Sequence, residues 1–362
     1  MSAHEILIAV MAVFAVLGAL DRIIGNRFGL GKEFENGILA MGSLALAMVG
    51  IICFAPVLAN VLKPVIVPVY TFLGADPAMF AGTILACDMG GGSLAMELTA
   101  DTQAALLGGV IPGSMLGATI VFTIPFAISV TKPEDHSSIA RGILCGIVTV
   151  PVGVLVGGLV AGFPVLMVLR NLIPIAIFAA LVALGLWKAE KWMIKGFVWF
   201  GRGIVALITV GLTAAIVQEL TGFVIIPGLA PLSEGFQTVG AIAIVLAGAF
   251  PLVFVVTKLL KKPLSAFGRI LGINETAAGG LVATLANSIA TFGMVGDMDR
   301  RGKVVNIAFA VSAAFVFGDH LGYTAGFAPE ALTGMILGKL AGGIAAVAVA
   351  LLLTRKDMEN IS

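Results

Sequence analysis

Asp88 follows Cys87 at the end of an apolar run, in AGTILACDMGGGSLAMEL (81–98), with Gly90, Gly91 and Gly92 just behind it. A carboxylate that deep in apolar sequence is costly, and ionisable groups inside membrane segments mark functional sites. Glycines at such a point break a helix or let the backbone approach a ligand closely. We read the stretch as the tip of a re-entrant hairpin whose Asp88 meets a cationic ligand. Capping of a half-helix is the alternative, although a serine would cap at lower cost in a membrane.

Two further stretches carry polar groups in apolar surroundings. ETAAGGLVATLANSIATFGM (275–294) is a broken apolar segment that offers Thr284, Asn287 and Ser288. A carboxylate neutralises an ammonium group, while amides and hydroxyls hydrogen-bond a hydroxyl or amine. Asn287 suits a ligand contact and a helix cap equally. The third stretch is Phe317-Gly318-Asp319-His320, in a helix expected over Val304 to Gly326. Adjacent Asp and His there fit a proton relay or part of a cation site. Pairing of Asp319 with Lys339 on the next helix is the structural alternative. Phe317 or Phe80 can offer a cation–π face. The expected binding set is therefore Asp88, Cys87, Gly90, Gly91, Thr284, Asn287, Ser288, Phe317 and Asp319, with Asp319 and His320 as a possible relay.

Other acids carry less. Glu97, Glu219 and Glu275 fall near segment ends, and Asp297, Asp299, Arg300 and Arg301 form a solvated turn. Gly296-Asp297 lacks the G-x-G-D of an intramembrane aspartyl protease. The chain has no H-E-x-x-H and no P-loop, so no catalytic residues, metal or cofactor are expected.

The elements that must position these groups are membrane helices. Of 362 residues 59% are hydrophobic and only 11% charged, too little charge for a soluble surface. Apolar runs of about 20 residues recur along the whole chain, the mark of a polytopic α-helical protein. A net charge of +1 says nothing of nucleic acid, and the three cysteines all lie in apolar runs. The N-terminal run lacks a basic leader and is read as the first spanning helix.

The halves resemble each other: Gly42 and Gly240, Gly50 and Gly248, Gly82 and Gly280, and Ser114 and Ser312 each stand 198 positions apart (240 against 42). The order long helix, interfacial segment, broken stretch, long helix also recurs. If both broken stretches are re-entrant, Arg22, Arg27, Lys32, Lys132, Arg141, Lys188, Lys191, Lys195, Arg202, Lys258, Lys261, Lys262, Arg269, Arg300, Arg301, Lys303, Arg355 and Lys356 share the cytoplasmic side, with Lys63 outside. The expected fold is all-α, with two inverted repeats (1–163 and 198–362) joined by a connecting helix and linker (164–197), a common transporter plan. It has about nine spanning helices and two hairpins; eleven plain spans are the alternative. The expected mechanism is alternating access at a midplane site.

AMGSLALAMVG (40–50), VIVPVYTFLGADPAMFAGTILACDMGG (65–91), LVATLANSIATFGM (281–294) and MDRRGKVVNIAFAVSAAFVFGDHLG (298–322) together resemble the EutH-type ethanolamine-utilisation permease family. The likeness spans nearly the whole chain; members of the family carry a longer loop where this chain has only Gly162 to Val165. It implies uptake of ethanolamine across the bacterial cytoplasmic membrane and a functional link to a cytoplasmic ethanolamine ammonia-lyase. It assigns no site residues. A symporter of another small organic cation or polar solute is the alternative, with an intramembrane enzyme further off; membrane lipid and a homo-oligomer complete the expected partners.

Overall fold

The computed structural model describes residues 2–85 and 88–355; for Ala3, Asp88, 260–267 and Arg269 it describes the backbone alone. No strand occurs among the described residues. In lipid every backbone group needs an internal partner, which the helix supplies within one segment. The helices are α1 (Ala3–Ile23), α2 (Leu30–Phe72), α3 (Met79–Thr83), α4 (Gly91–Leu98), α5 (Thr102–Gly109), α6 (Ile124–Val130), α7 (His136–Val160), α8 (Val165–Thr221), α9 (Leu232–Leu271), α10 (Glu275–Ala286), α11 (Ser288–Gly293), α12 (Arg300–Ala313), α13 (Asp319–Phe327) and α14 (Leu332–Leu353). Two π-helical turns, Gly113–Gly117 and Thr119–Thr123, bridge α5 to α6. Seven helical stretches of the described chain are long and apolar enough to cross a membrane.

α8 has 57 residues and would run about 86 Å if straight. It breaks at Ala189 (φ −143°, ψ 44°), and a Cβ on Gly185 would sit 2.6 Å from Met193 Sδ, so the chain folds back there. The basic linker expected between two spans is that fold.

Three boundaries differ from the sequence reading. α2 opens at Leu30, whereas the polar stretch Arg27 to Asn36 reads as a loop before a helix over Gly37 to about Leu62: the Asp21 carboxylate accepts the N–H groups of Phe28 (3.0 Å) and Gly31 (2.9 Å), which lets Leu30 to Asn36 wind into helix. α2 also runs on to Phe72 through Pro56, Pro64 and Pro68, where a separate interfacial segment was expected. The helix expected over 304–326 is broken in the middle, as described below.

Glycines set the close crossings. A Cβ on Gly50 would lie 1.9 Å from the Ile208 carbonyl oxygen, and one on Gly248 would lie 2.1 Å from that of Met11. α2 thus meets the second half of α8, and α9 meets α1, backbone against backbone. Gly153 and Gly157 of α7 face Gly334 and Gly338 of α14 in the same way.

Candidate functional site

Two helical hairpins double back within the bundle. α3 and α4 form the first. At its base Asp76 Oδ2 accepts the Thr99 hydroxyl (2.9 Å), while Asp76 Oδ1 accepts the Ala78 N–H (2.8 Å). α10 and α11 form the second, where Asn274 donates its N–H to Asp299 (2.8 Å) and its side-chain amide to the Asp297 carbonyl (2.9 Å). Each hairpin therefore starts and ends at one point, and its arms are short. α10, at 12 residues, reaches about 18 Å against a hydrocarbon core of about 30 Å. Asp101 and Asp299 then cap α5 and α12, the helices that lead away.

The tip of the second hairpin is Asn287, extended at φ −157° and ψ 118°, whose Oδ1 accepts the Ile289 N–H and starts α11. This break lies against another. α12 ends at Ala313 and α13 begins at Asp319, and between them Phe315 adopts φ +60°. The Phe315 N–H donates to the Thr284 carbonyl (3.1 Å) and the Phe317 N–H to that of Leu285 (2.9 Å). A Cβ on Gly318 would fall 2.2 Å from the Ala286 carbonyl oxygen. Carbonyls freed at the end of α10 thus find partners in the broken helix, which is what buried non-helical backbone requires. Asp319 and His320 open a new helix and do not sit inside a continuous one.

Where the two breaks meet, a cavity of about 370 Å³ is lined by Glu33 and Asn36 of α2, Phe250, Phe254 and Thr257 of α9, and Asn287, Phe317, Gly318 and Asp319. Asn36 donates to Glu33 Oε2 at 3.3 Å. Two carboxylates, two carboxamides and three phenyl rings make a wall suited to a small cation that carries a hydrogen-bonding group. The Lys258 ammonium already lies 4.0 Å from the Phe254 ring centroid.

Of the expected residues, Asn287, Phe317 and Asp319 share this cavity. Thr284 and Ser288 are fully buried in the wall behind it. Thr284 shares a 2.8 Å hydrogen bond with Thr291, which also donates to the Gly280 carbonyl; the Ser288 hydroxyl is buried without a partner among the described residues. His320 is buried with its ring 5.4 Å from that of Phe315. Lys339, the alternative partner considered for Asp319, is fully buried and donates to the Ser114 carbonyl. Gly90 and Gly91 pack elsewhere, against Ile51 and against the Ala81 and Gly109 carbonyls. Cys87 lies outside the described residues, and of Asp88 only the backbone, in a 3₁₀ turn Asp88–Gly90, is described.

Sequence reasoning missed Glu33, Asn36, Phe250, Phe254 and Thr257. The usable signal was the spacing Glu33, Asn36, Gly37 at the mouth of an apolar run, which is one face of a helix.

A multi-pass helical membrane protein whose broken helices line a polar cavity is the class these features define. The family profile described as "Ethanolamine utilisation protein, EutH" matches residues 3–353. A "Probable ethanolamine permease EutH" of Listeria monocytogenes is 59% identical over 360 residues, 99% of this chain and 96% of the relative. The same name is borne by a Salmonella typhimurium protein, 48% identical over 395 positions (99% and 97%). An "Uncharacterized protein YxeR" of Bacillus subtilis is 49% identical over 354 residues (98% and 96%). No solved structure matches. The chain belongs to the EutH family; two of these relatives are named as probable permeases rather than as enzymes, and the chain is a multi-pass membrane protein of that family.

Proposed function

We propose that the protein carries ethanolamine across the bacterial cytoplasmic membrane by alternating access, with the cavity between the second hairpin and the α12–α13 break as the substrate site. The observation that carries this reading is the convergence of Asp319, Glu33, Asn287 and three phenyl rings on one cavity. Ethanolamine at neutral pH is a primary ammonium with a hydroxyl. A carboxylate and a ring face suit the first group, and a carboxamide suits the second. The names of the relatives favour the same substrate.

The mechanism rests on two inverted repeats with re-entrant hairpins, which the equivalences at an offset of 198 support. Gly50 against Ile208 answers Gly248 against Met11, and Asp101, the cap of α5, answers Asp299, the cap of α12. In this plan α1 corresponds to the second half of α8, the first half of α8 is the connector, and the spans number nine. In the same proposal Asp88 at the first hairpin's tip is the counterpart acid, and Asp319 with His320 is the candidate proton relay.

The test is uptake of labelled ethanolamine into proteoliposomes. Asp319→Asn keeps shape and removes charge; losing a charged hydrogen-bond partner should lower uptake at least about tenfold. Unchanged uptake with a well-folded variant removes Asp319 from the site. Absence of uptake by the parent protein counts against transport of this substrate.

A further inference from the structure

All three tryptophans of the chain, Trp187, Trp192 and Trp199, fall within 13 residues at the fold in α8, and their exposures are 74, 75 and 62%. Lys188, Lys191, Lys195 and Arg202 stand among them, against one acid, Glu190. After the break at Ala189 the exposed positions 192, 195, 199 and 202 recur every three or four residues, with the exposed Lys191 beside them, so indoles and basic groups alternate along one helix face. The opposite face packs inward, with Met193 against Gly185 and Gly201 against Pro125. On the outer face the Lys195 ammonium lies 5.6 Å from the Trp192 ring and the Arg202 guanidinium 5.6 Å from the Trp199 ring.

Position along the chain says where this face lies. It joins two apolar halves of α8, each long enough to span, so the fold between them stands at the boundary of membrane and water. Indoles settle at that boundary, apolar ring in the acyl region and N–H toward the headgroups. Basic side chains beside them meet the phosphates, and an anionic leaflet adds about 1 kcal/mol per Lys or Arg. A soluble acidic partner would use the positive charge but gain nothing from three indoles set at the lipid boundary. We propose that the α8 fold is a binding site for anionic phospholipid headgroups, with Lys188, Lys191, Lys195 and Arg202 on the phosphates and Trp192 and Trp199 aligning the basic groups by cation–π contact. The assignment rests on the membrane setting and not on the transported solute.

The clustering of the tryptophans supplies the experiment, because intrinsic indole fluorescence reports on this site alone. The full-length protein is reconstituted in phosphatidylcholine vesicles in which a rising fraction of lipid is brominated phosphatidylglycerol or, in parallel, brominated phosphatidylcholine. Half-maximal quenching should be reached at about a fivefold lower fraction of the anionic lipid, the factor that corresponds to one basic residue's share of the attraction. Salt near 1 M, where the screening length falls to about 3 Å, should bring the midpoints together. Replacing all four basic residues with Gln should do the same at low salt, while replacing the three lysines with Arg should keep the preference. Equal midpoints for the parent protein, meaning that the basic face meets water or another acidic occupant, overturn the assignment. So does a preference that survives both high salt and the Gln variant; if the Gln variant fails to reconstitute, the salt series decides.

Discussion

At the scale of single residues, a carboxylate on the wall of a cavity that it shares with phenyl rings has to recover the cost of its desolvation from a ligand or a partner. Glu33 lines the cavity with the Asn36 amide 3.3 Å away, a geometry that orients the acid without neutralising it. Glu33→Gln should therefore raise the substrate concentration for half-maximal uptake by about tenfold, the worth of one charged contact. Asn36→Ala should shift it less, because it removes only an orienting bond; concentration series on both variants check the order. A different pair tests packing. Lys303 and Asp135 form an ion pair between α12 and the turn before α7, with side chains only 16 and 5% exposed. Lys303→Met strands a buried carboxylate and should cost about 3 kcal/mol, whereas Lys303→Met with Asp135→Asn should recover much of it. Melting curves in detergent separate the two outcomes. Asp319 and Asn287 were legible in the sequence because polar groups in apolar runs stand out, and Phe317 only as a ring two residues before Asp319. Glu33 was not, because it sits among Arg27, Lys32 and Glu35 and reads as loop. What makes it helical is Asp21, ten residues before Gly31, a partner no local pattern shows.

Elements were legible to different degrees for the same reason. The fold in α8 is written in its basic linker, and the second hairpin in the polar tip Asn287-Ser288. The break in α12–α13 has no such mark: AAFVFGDH holds no proline and a single glycine. Phe315 can hold φ +60° because hairpin carbonyls accept the N–H groups on either side of the break, a long-range bond that spacing cannot reveal. The mutual support of the two breaks has a direct test at Gly318. A methyl group there would lie 2.2 Å from the Ala286 carbonyl oxygen, so Gly318→Ala must push the hairpin tip away from the broken helix. Overpacking of this kind costs about 1–3 kcal/mol. Because Asn287 and Asp319 stand on the two sides of the crossing, uptake should fall along with the melting temperature. A variant that melts earlier yet transports normally would show that the crossing holds the fold but does not shape the site.

The whole molecule turns on whether the hairpins cross the membrane, since that decides the direction of every later helix. The local geometry is specific. Asp76 and Thr99 are bonded at 2.9 Å, so the chain leaves the first hairpin where it entered, and the same holds for Asn274 with Asp297 and Asp299. The stretch Thr102–Val130 that follows has 29 residues, about 43 Å as helix, ample for a core of about 30 Å. Cysteines introduced at Lys63 and Thr99 should then react with an impermeant maleimide from one face of the membrane, and a cysteine at Lys132 only from the other. Cys53 and Cys145 are buried, and replacing them together with Cys87 by Ala or Ser gives the background for labelling. If Thr99 labels with Lys132 and not with Lys63, the first hairpin crosses the membrane and the positive charges no longer gather on one side. The inverted arrangement of the halves would fall with it. If Thr99 labels with Lys63, the chain has turned back on itself at Asp88, and the acid whose surroundings open the sequence lies at the inner end of a re-entrant loop.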